Sequence, residues 1–310
     1  DPVVANIGQG DLLVVSNERA PGRRAVTASS PEAWGARYEQ FPKYPLIYHR
    51  GGSTTDQVVL SFDDGPDPVW TPLILDILKQ EGIHAVFFVV GNQAIEHPAL
   101  IRRILAEGHE IGNHSYSHSD LSEATEAWIT FELNATQRIL QGSAGISTLL
   151  FRPPYHADTY PQSFNEFMTL VKAQQLGYLS ISNSVDGEDW NAPTPEGIFE
   201  RVKERRHEGN VILLHDGGGN RSATVVALPQ IIRYLRDRGD RIVSLQTLLK
   251  LPREALMPPI PVEDSPDSRA VAQTGLSLIE YVEELTWAFM IGVTALLLLR
   301  TGTVVVLAIS

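Results

Sequence analysis

Two histidines four residues apart, His114 and His118, follow by about fifty residues the adjacent carboxylates Asp63 and Asp64 of the run Ser61-Phe62-Asp63-Asp64-Gly65-Pro66. Imidazole and carboxylate donors in this mixture suit zinc or a similar first-row ion, and three protein ligands leave a coordination position open for water. An open position of that kind is where metal-assisted hydrolysis begins. The i, i+4 spacing of His114-Ser115-Tyr116-Ser117-His118 places both imidazoles on one side of a helical turn. Neighbouring residues at a strand end point to opposite sides, so one aspartate can bind a metal while the other takes a proton. The competing readings are an Asx-turn for Asp63-Asp64-Gly65 and a pair of solvated surface histidines.

Three further clusters put polar groups at the ends of apolar runs. Phe151-Arg152-Pro153-Pro154-Tyr155 sets an arginine before two prolines that fix the next loop. A guanidinium there orients a carboxylate through paired hydrogen bonds, or makes an ordinary salt bridge. Asp186-Gly187-Glu188-Asp189-Trp190 combines three acids with an indole, which packs on sugar rings or, more commonly, in a core. The apolar run Val211 to Leu214 delivers His215-Asp216 and then three glycines. A histidine there suits proton transfer near neutrality, with a backbone-satisfied core histidine as the alternative. The histidines at 49, 84, 97, 109, 156 and 207 have no comparable setting.

Positioning such groups requires a scaffold. Between Val58 and about Leu249, β-rich apolar runs alternate with amphipathic stretches. The expected strands are Val58–Phe62, Ala85–Val90, Glu110–His114, Leu149–Arg152, Tyr178–Ser182, Val211–His215 and Arg241–Leu245. The expected helices are Pro72–Glu81, Pro98–Glu107, Ser122–Gln141, Phe164–Leu176, Pro195–Glu208 and Thr224–Arg238. Seven strands with helical crossovers predict an α/β fold, a parallel (β/α) barrel. Every polar cluster falls at the C-terminal end of an expected strand, where barrel enzymes assemble their sites.

The 310 residues are 43% hydrophobic and 20% charged, enough for one large core and additions to it. A formal net charge of -12 and a pI near 5.2 argue against phosphate-backbone binding, so no nucleic-acid partner is expected. The absence of cysteine excludes disulfide scaffolds, thiolate zinc sites and a cysteine nucleophile. The chain opens at Asp1-Pro2 without a methionine or a signal-peptide h-region, which suggests a processed product or a piece of something longer.

Four segments are expected: a lead-in over 1–53, a barrel domain over 54–251, a Pro-rich acidic linker with a short helix over 252–284, and an apolar stretch over 285–310. The last has Arg300 as its only charge, and as a helix it would exceed a hydrocarbon core of roughly 30 Å, so it reads as a transmembrane helix. A buried C-terminal helix is the alternative, and Arg300 costs the membrane reading about 2.5 to 3.5 kcal/mol.

Taken in order, the five clusters resemble the polysaccharide deacetylases of carbohydrate esterase family 4, which share the chitooligosaccharide deacetylase homology domain. The resemblance covers roughly residues 54 to 250. It implies a distorted seven-stranded parallel barrel that removes acetyl groups from N-acetylglucosamine units of chitin-like or peptidoglycan chains. It implies that Asp64, His114 and His118 bind a divalent metal, zinc foremost, with cobalt, nickel or manganese as alternatives. Asp63 would be the general base, oriented by Arg152, and the backbone N–H at Tyr155 would help hold the oxyanion. His215 would be the general acid, tuned by Asp186, with Trp190 and Leu214 walling the acetyl pocket. The linker and apolar tail are similar to bacterial proteins in which this deacetylase continues through a membrane helix into a family 2 glycosyltransferase, which implies a membrane-anchored, extracytoplasmic domain. The rival expectations are a non-catalytic, membrane-tethered glycan-binding domain that uses Trp190, and a hydrolase of small cyclic amides on the same scaffold.

Overall fold

The computed structural model describes residues 56–155, 164–191, 194–258 and 260, scattered positions at 286, 289–291 and 294, and four strands of the lead-in as backbone. The chain divides into two compact units, residues 1–261 and 262–310. In chain order the first unit contains β1 (Leu12–Val15), β2 (Arg23–Thr27), β3 (Gly35–Gln40), β4 (Ile47–Arg50), β5 (Gln57–Asp63), α1 (Trp70–Glu81), β6 (Val86–Val89), α2 (Gly91–Glu96) and α3 (Pro98–Ala106). It continues with β7 (Glu110–Asn113), a 3-10 turn at Leu121–Glu123, α4 (Glu126–Ala144), β8 (Leu150–Phe151), α5 (Phe164–Gln175), β9 (Leu179–Ile181) and β10 (Val185–Asp186). The last elements are α6 (Pro195–Arg205), β11 (Val211–His215), α7 (Ser222–Asp237), β12 (Arg241–Ile242), α8 (Leu245–Leu249) and α9 (Arg253–Leu256).

Seven strands form a parallel arc in the order β10-β11-β5-β6-β7-β8-β9. The second edge of β9 is taken by β1, which runs antiparallel to it and to β4. The arc is a curled parallel half-barrel, consistent with the distorted seven-stranded (β/α) barrel expected.

The identity of one strand also differs. Arg241–Leu245 contributes only β12, which pairs with the start of β5 off the main path, and the seventh position in the arc belongs to β10. A two-residue strand shows no periodicity in sequence, so β10 left no trace there. The expected helix over 98–107 is preceded by a separate α2. Pro98 restricts His97 to non-helical angles, and the chain breaks there before restarting with the proline in the first turn.

β5 and β6 are buried along their whole length, as a parallel sheet covered on both faces requires. Ile74, Leu75 and Leu78 of α1 and Leu228, Ile231, Ile232 and Leu235 of α7 supply the helical side of this core. Helices pack as neighbours, α1 and α6 on α7, α3 and α5 on α4. Residues 253–258 also belong to the barrel, since Leu149 N–H donates to Leu256 O at 2.8 Å and Arg253 Nη2 to His109 O at 2.7 Å.

Most of the apolar stretch 285–310 lies outside the described residues. Among the described residues no helix is long and apolar enough to cross a membrane.

Candidate active site

Because the seven strands run the same way, their carboxyl ends share one mouth. Asp63 ends β5, His114 follows β7, Arg152 follows β8, Asp186 ends β10 and His215 ends β11. All of these but the fully buried Arg152 line a cleft of about 840 Å³, within the ~300–1,000 Å³ usual for small-molecule sites.

His114 and His118 do come together, with ring centroids 5.1 Å apart, but not through a helical turn. Residues 114–118 form a loop with left-handed backbone at Ser115 (φ 65°) and His118 (φ 56°). The loop is held by side chains in place of helical hydrogen bonds. Asn113 Oδ1 accepts from Ser115 N–H, and Ser115 Oγ accepts from His118 N–H. The fully buried Glu132, on α4, accepts from Tyr116 N–H and Ser117 N–H, both at 2.8 Å, and from Ser117 Oγ at 2.7 Å. No feature of the sequence linked Glu132 to this loop sixteen residues earlier. Glu132→Ala strands the buried Tyr116 N–H and unties the partly buried Ser117 N–H, and is expected to cost roughly 1 to 3 kcal/mol, read by urea unfolding, and to weaken metal binding about 10- to 100-fold.

The donor set fits a cation. His114 Nδ1 lies 2.8 Å from the carbonyl of Arg152, so that nitrogen carries the proton and the lone pair of the neutral ring is on Nε2. Nε2 points at Asp64 Oδ1 from 3.4 Å, and His118 Nε2 reaches the same oxygen at 2.9 Å. Among the described residues, the buried Asp64 Oδ1 meets no polar group other than these two ring nitrogens. Three ligand atoms, all within 4.8 Å of one another, converge where a divalent ion would satisfy them together. Burial alone would raise the pKa of Asp64, but interactions with His114 and His118 hold it well below the ordinary carboxylate range.

Asp63 is buried beside this cluster. Its Oδ1 accepts from Arg152 Nη1 at 2.8 Å, and its Oδ2 lies 3.7 Å from His114 Nε2. Arg152 is itself fully buried and anchored by Ser61 Oγ at 2.9 Å and Ile181 O at 3.0 Å. Ser61 lies two residues before Asp63 on β5, hence on the same face.

Two expectations need correction. The carboxylate on His215 is Asp189, not Asp186. Asp189 Oδ1 is 2.6 Å from His215 Nδ1, and its Oδ2 accepts from His215 N–H at 2.9 Å and Thr224 Oγ1 at 2.7 Å. Asp186 instead accepts from Glu188 N–H at 2.6 Å and Trp190 Nε1 at 3.3 Å, so it shapes the loop that presents the indole. Both carboxylates stood in one five-residue cluster, and only the turn geometry decides between them.

The second correction concerns the pocket wall. Leu214 is fully buried and approaches Gly187, where an added Cβ would meet its side chain at 2.9 Å. Leu213 lines the cleft, because alternate residues of β11 share a face and His215 is on it. Trp190 and Tyr155 both line the cleft and remain more than half exposed, with the Tyr155 ring edge-on to His118 at 4.8 Å.

Burial would lower the pKa of His215, but the bond from Asp189 and the nearby Asp64 and Asp63 charges raise it to about 9. Asp216, next in sequence, is fully buried and takes Thr71 Oγ1 at 2.5 Å; burial pushes its carboxyl up to about 7. It also explains Gly65, where a Cβ would fall 2.2 Å from Asp216 Oδ2.

Known proteins resemble this chain in sequence and in fold. The family model described as polysaccharide deacetylase matches residues 50–178. A peptidoglycan-N-acetylglucosamine deacetylase of Bacillus cereus is 36% identical over 195 residues, covering 62% of this chain and 88% of that protein. A chitooligosaccharide deacetylase of Sinorhizobium fredii is 36% identical over 207 residues, covering 63% and 93%. The crystal structure of the Bc1960 peptidoglycan N-acetylglucosamine deacetylase, in complex with 4-naphthalen-1-yl-N-oxidanyl-benzamide, superposes with a TM-score of 0.60 at 35% identity, covering 66% of this chain and 92% of that one. With its relatives matched over most of their own length, the chain belongs to the polysaccharide deacetylase family, hydrolases of amide bonds.

Proposed function

We propose that this chain removes N-acetyl groups from N-acetylglucosamine-containing glycans, chitin-like or peptidoglycan, releasing acetate, with zinc as the ion held by Asp64, His114 and His118. The observation that carries this reading is the single cleft in which Asp64 Oδ1 faces two imidazoles, Arg152 presents Asp63, and Asp189 presents His215. The names of the relatives matched support the substrate class.

A divalent ion, when bound, supplies Lewis acidity toward water and the acetamide carbonyl. Asp63, held at one oxygen by Arg152, uses the other to take a proton from the attacking water. His215 hands a proton to the departing amine, which would otherwise leave as a strongly basic anion. Trp190 and Leu213 bound the space for the acetyl methyl, and the backbone N–H of Tyr155, whose ring lies edge-on to His118 in the same cleft, helps hold the charge that develops on the carbonyl oxygen. The amine product is cationic near neutrality, and the net charge of -12 does not repel it.

A further part of the proposal is a membrane anchor holding the barrel outside the cytoplasm, with continuation into a glycosyltransferase domain; the apolar run 285–310, whose only charge is Arg300, supports the anchor.

Chelator-treated protein is expected to release acetate from N-acetylglucosamine oligomers at least about 10³-fold more slowly than protein reloaded with zinc. Equal rates before and after reloading would remove the ion from the reaction, and zinc-loaded protein that binds oligomers without releasing acetate would sink the deacetylase assignment.

A further inference from the structure

Arg221 closes the loop that follows His215 and leads into α7. It is 4% exposed, so its charge is nearly removed from solvent. Its Nε donates to Gly217 O at 2.6 Å, its Nη2 to Gly218 O at 3.1 Å and its Nη1 to Asp189 O at 2.9 Å. Nη2 also lies 3.9 Å from Asp64 Oδ2. The three carbonyls belong to two separate loops, one after β11 and one after β10.

The first loop presses on the metal-site carboxylate. A Cβ on Gly217 would fall 2.3 Å from Asp64 O, and one on Gly218, whose φ is +70°, would fall 2.3 Å from Asp64 Oδ2. Asp64 itself has a φ of 73°, a conformation that a non-glycine residue keeps only where its surroundings impose it. The second loop carries Asp189, whose side chain takes both the ring and the backbone N–H of His215.

We propose that Arg221 is a positioning residue that clamps the glycine loop against Asp64, fixing which carboxylate oxygen faces the imidazoles, and ties that frame to the loop holding His215. One cation then sets both the metal ligand and the proton donor. The inference rests on the reading of Asp64, His114 and His118 as a metal site. Only a guanidinium meets the requirement, because its planar fork directs donors to three carbonyls at once, whereas a lysine ammonium is a single point on a flexible stem.

The test uses Arg221→Ala and Arg221→Lys in the full chain. Zinc affinity is measured by competition with a chromophoric chelator, the visible spectrum is recorded with cobalt(II), and stability is read by urea unfolding. Arg221→Ala is expected to bind zinc about 10- to 100-fold more weakly and to show an altered cobalt spectrum, with added guanidinium ion at millimolar concentration restoring both toward wild type. Arg221→Lys is expected to fall between the two. Wild-type zinc affinity and cobalt spectrum in either folded variant, with or without a loss of stability, would overturn the proposal. If only Arg221→Lys folds, its affinity and spectrum decide in the same way. A wild-type chain that fails to bind zinc instead removes the metal reading on which the inference stands.

Discussion

Asp63→Asn is expected to lower acetate release by about 10³-fold while leaving zinc content unchanged. The proton-accepting oxygen is lost, a change that general-base chemistry ranks at about 10²- to 10⁴-fold, whereas Asp64, His114 and His118 keep every ligand atom. The same substitution removes a carboxylate from a fully buried guanidinium. Breaking a buried pair from one side typically costs about 3 to 5 kcal/mol, and the amide oxygen can still accept from Arg152 Nη1, so the loss should fall near or below the lower end of that range. Acetate assay, zinc analysis and urea unfolding on one preparation separate these effects. More than a tenth of wild-type turnover in the Asp63→Asn protein would remove Asp63 from the role of base.

Asp189→Asn should strike the other half of the reaction. In the wild-type chain the bond from Asp189 outweighs burial and raises the pKa of His215 to about 9, so the ring is a protonated acid at neutral pH. With the carboxylate gone, burial works against only the Asp64 and Asp63 charges, and the pKa falls back toward the ordinary 6.5. The expected result is a fall in kcat of about 10²-fold or more at pH 8 and an alkaline limb displaced to lower pH. A bound divalent cation lowers the limb in both proteins, so the difference between them is the quantity to read. Stability follows with a definite sign. A histidine whose pKa is raised on folding stabilises fully below pH 6.5 and loses that contribution as pH rises through about 9. The stability gap between wild type and variant should therefore be widest below pH 6.5, on the order of 3 kcal/mol, and close toward pH 9. Superimposable pH profiles would show that Asp189 does not govern His215.

How much of this was legible beforehand depends on the range of the interaction concerned. Asp64, His114 and His118 stood out because few residue types serve as metal ligands, and they do converge, though through a loop and not through the helical turn that the spacing of the histidines suggests. Strands β5 and β11 were equally plain, since a stretch buried on both faces must be continuously apolar. The choice between Asp186 and Asp189 was not legible. Both are acids on one loop, and which one meets His215 depends on a turn that places Glu188 at a φ of 49°. Leu213 and Leu214 are chemically identical, and only the register of His215 on its strand separates them. Glu132 and Arg221 act across 15 and 32 residues of sequence on backbone groups, which carry no signature in a list of side chains.

The pairing of β1 with β9 gives the first fifty residues a consequence for protein engineering. Leu12 and Leu13 lie opposite Ile181 and Ser180, and the carbonyl of Ile181 is one of the anchors of Arg152. An expression fragment trimmed to begin at the barrel would leave that border of the sheet with unpaired main-chain groups, inviting intermolecular strand addition and fraying. The damage would surface first in the arginine that aims Asp63, so such a fragment could retain its zinc and still turn over poorly.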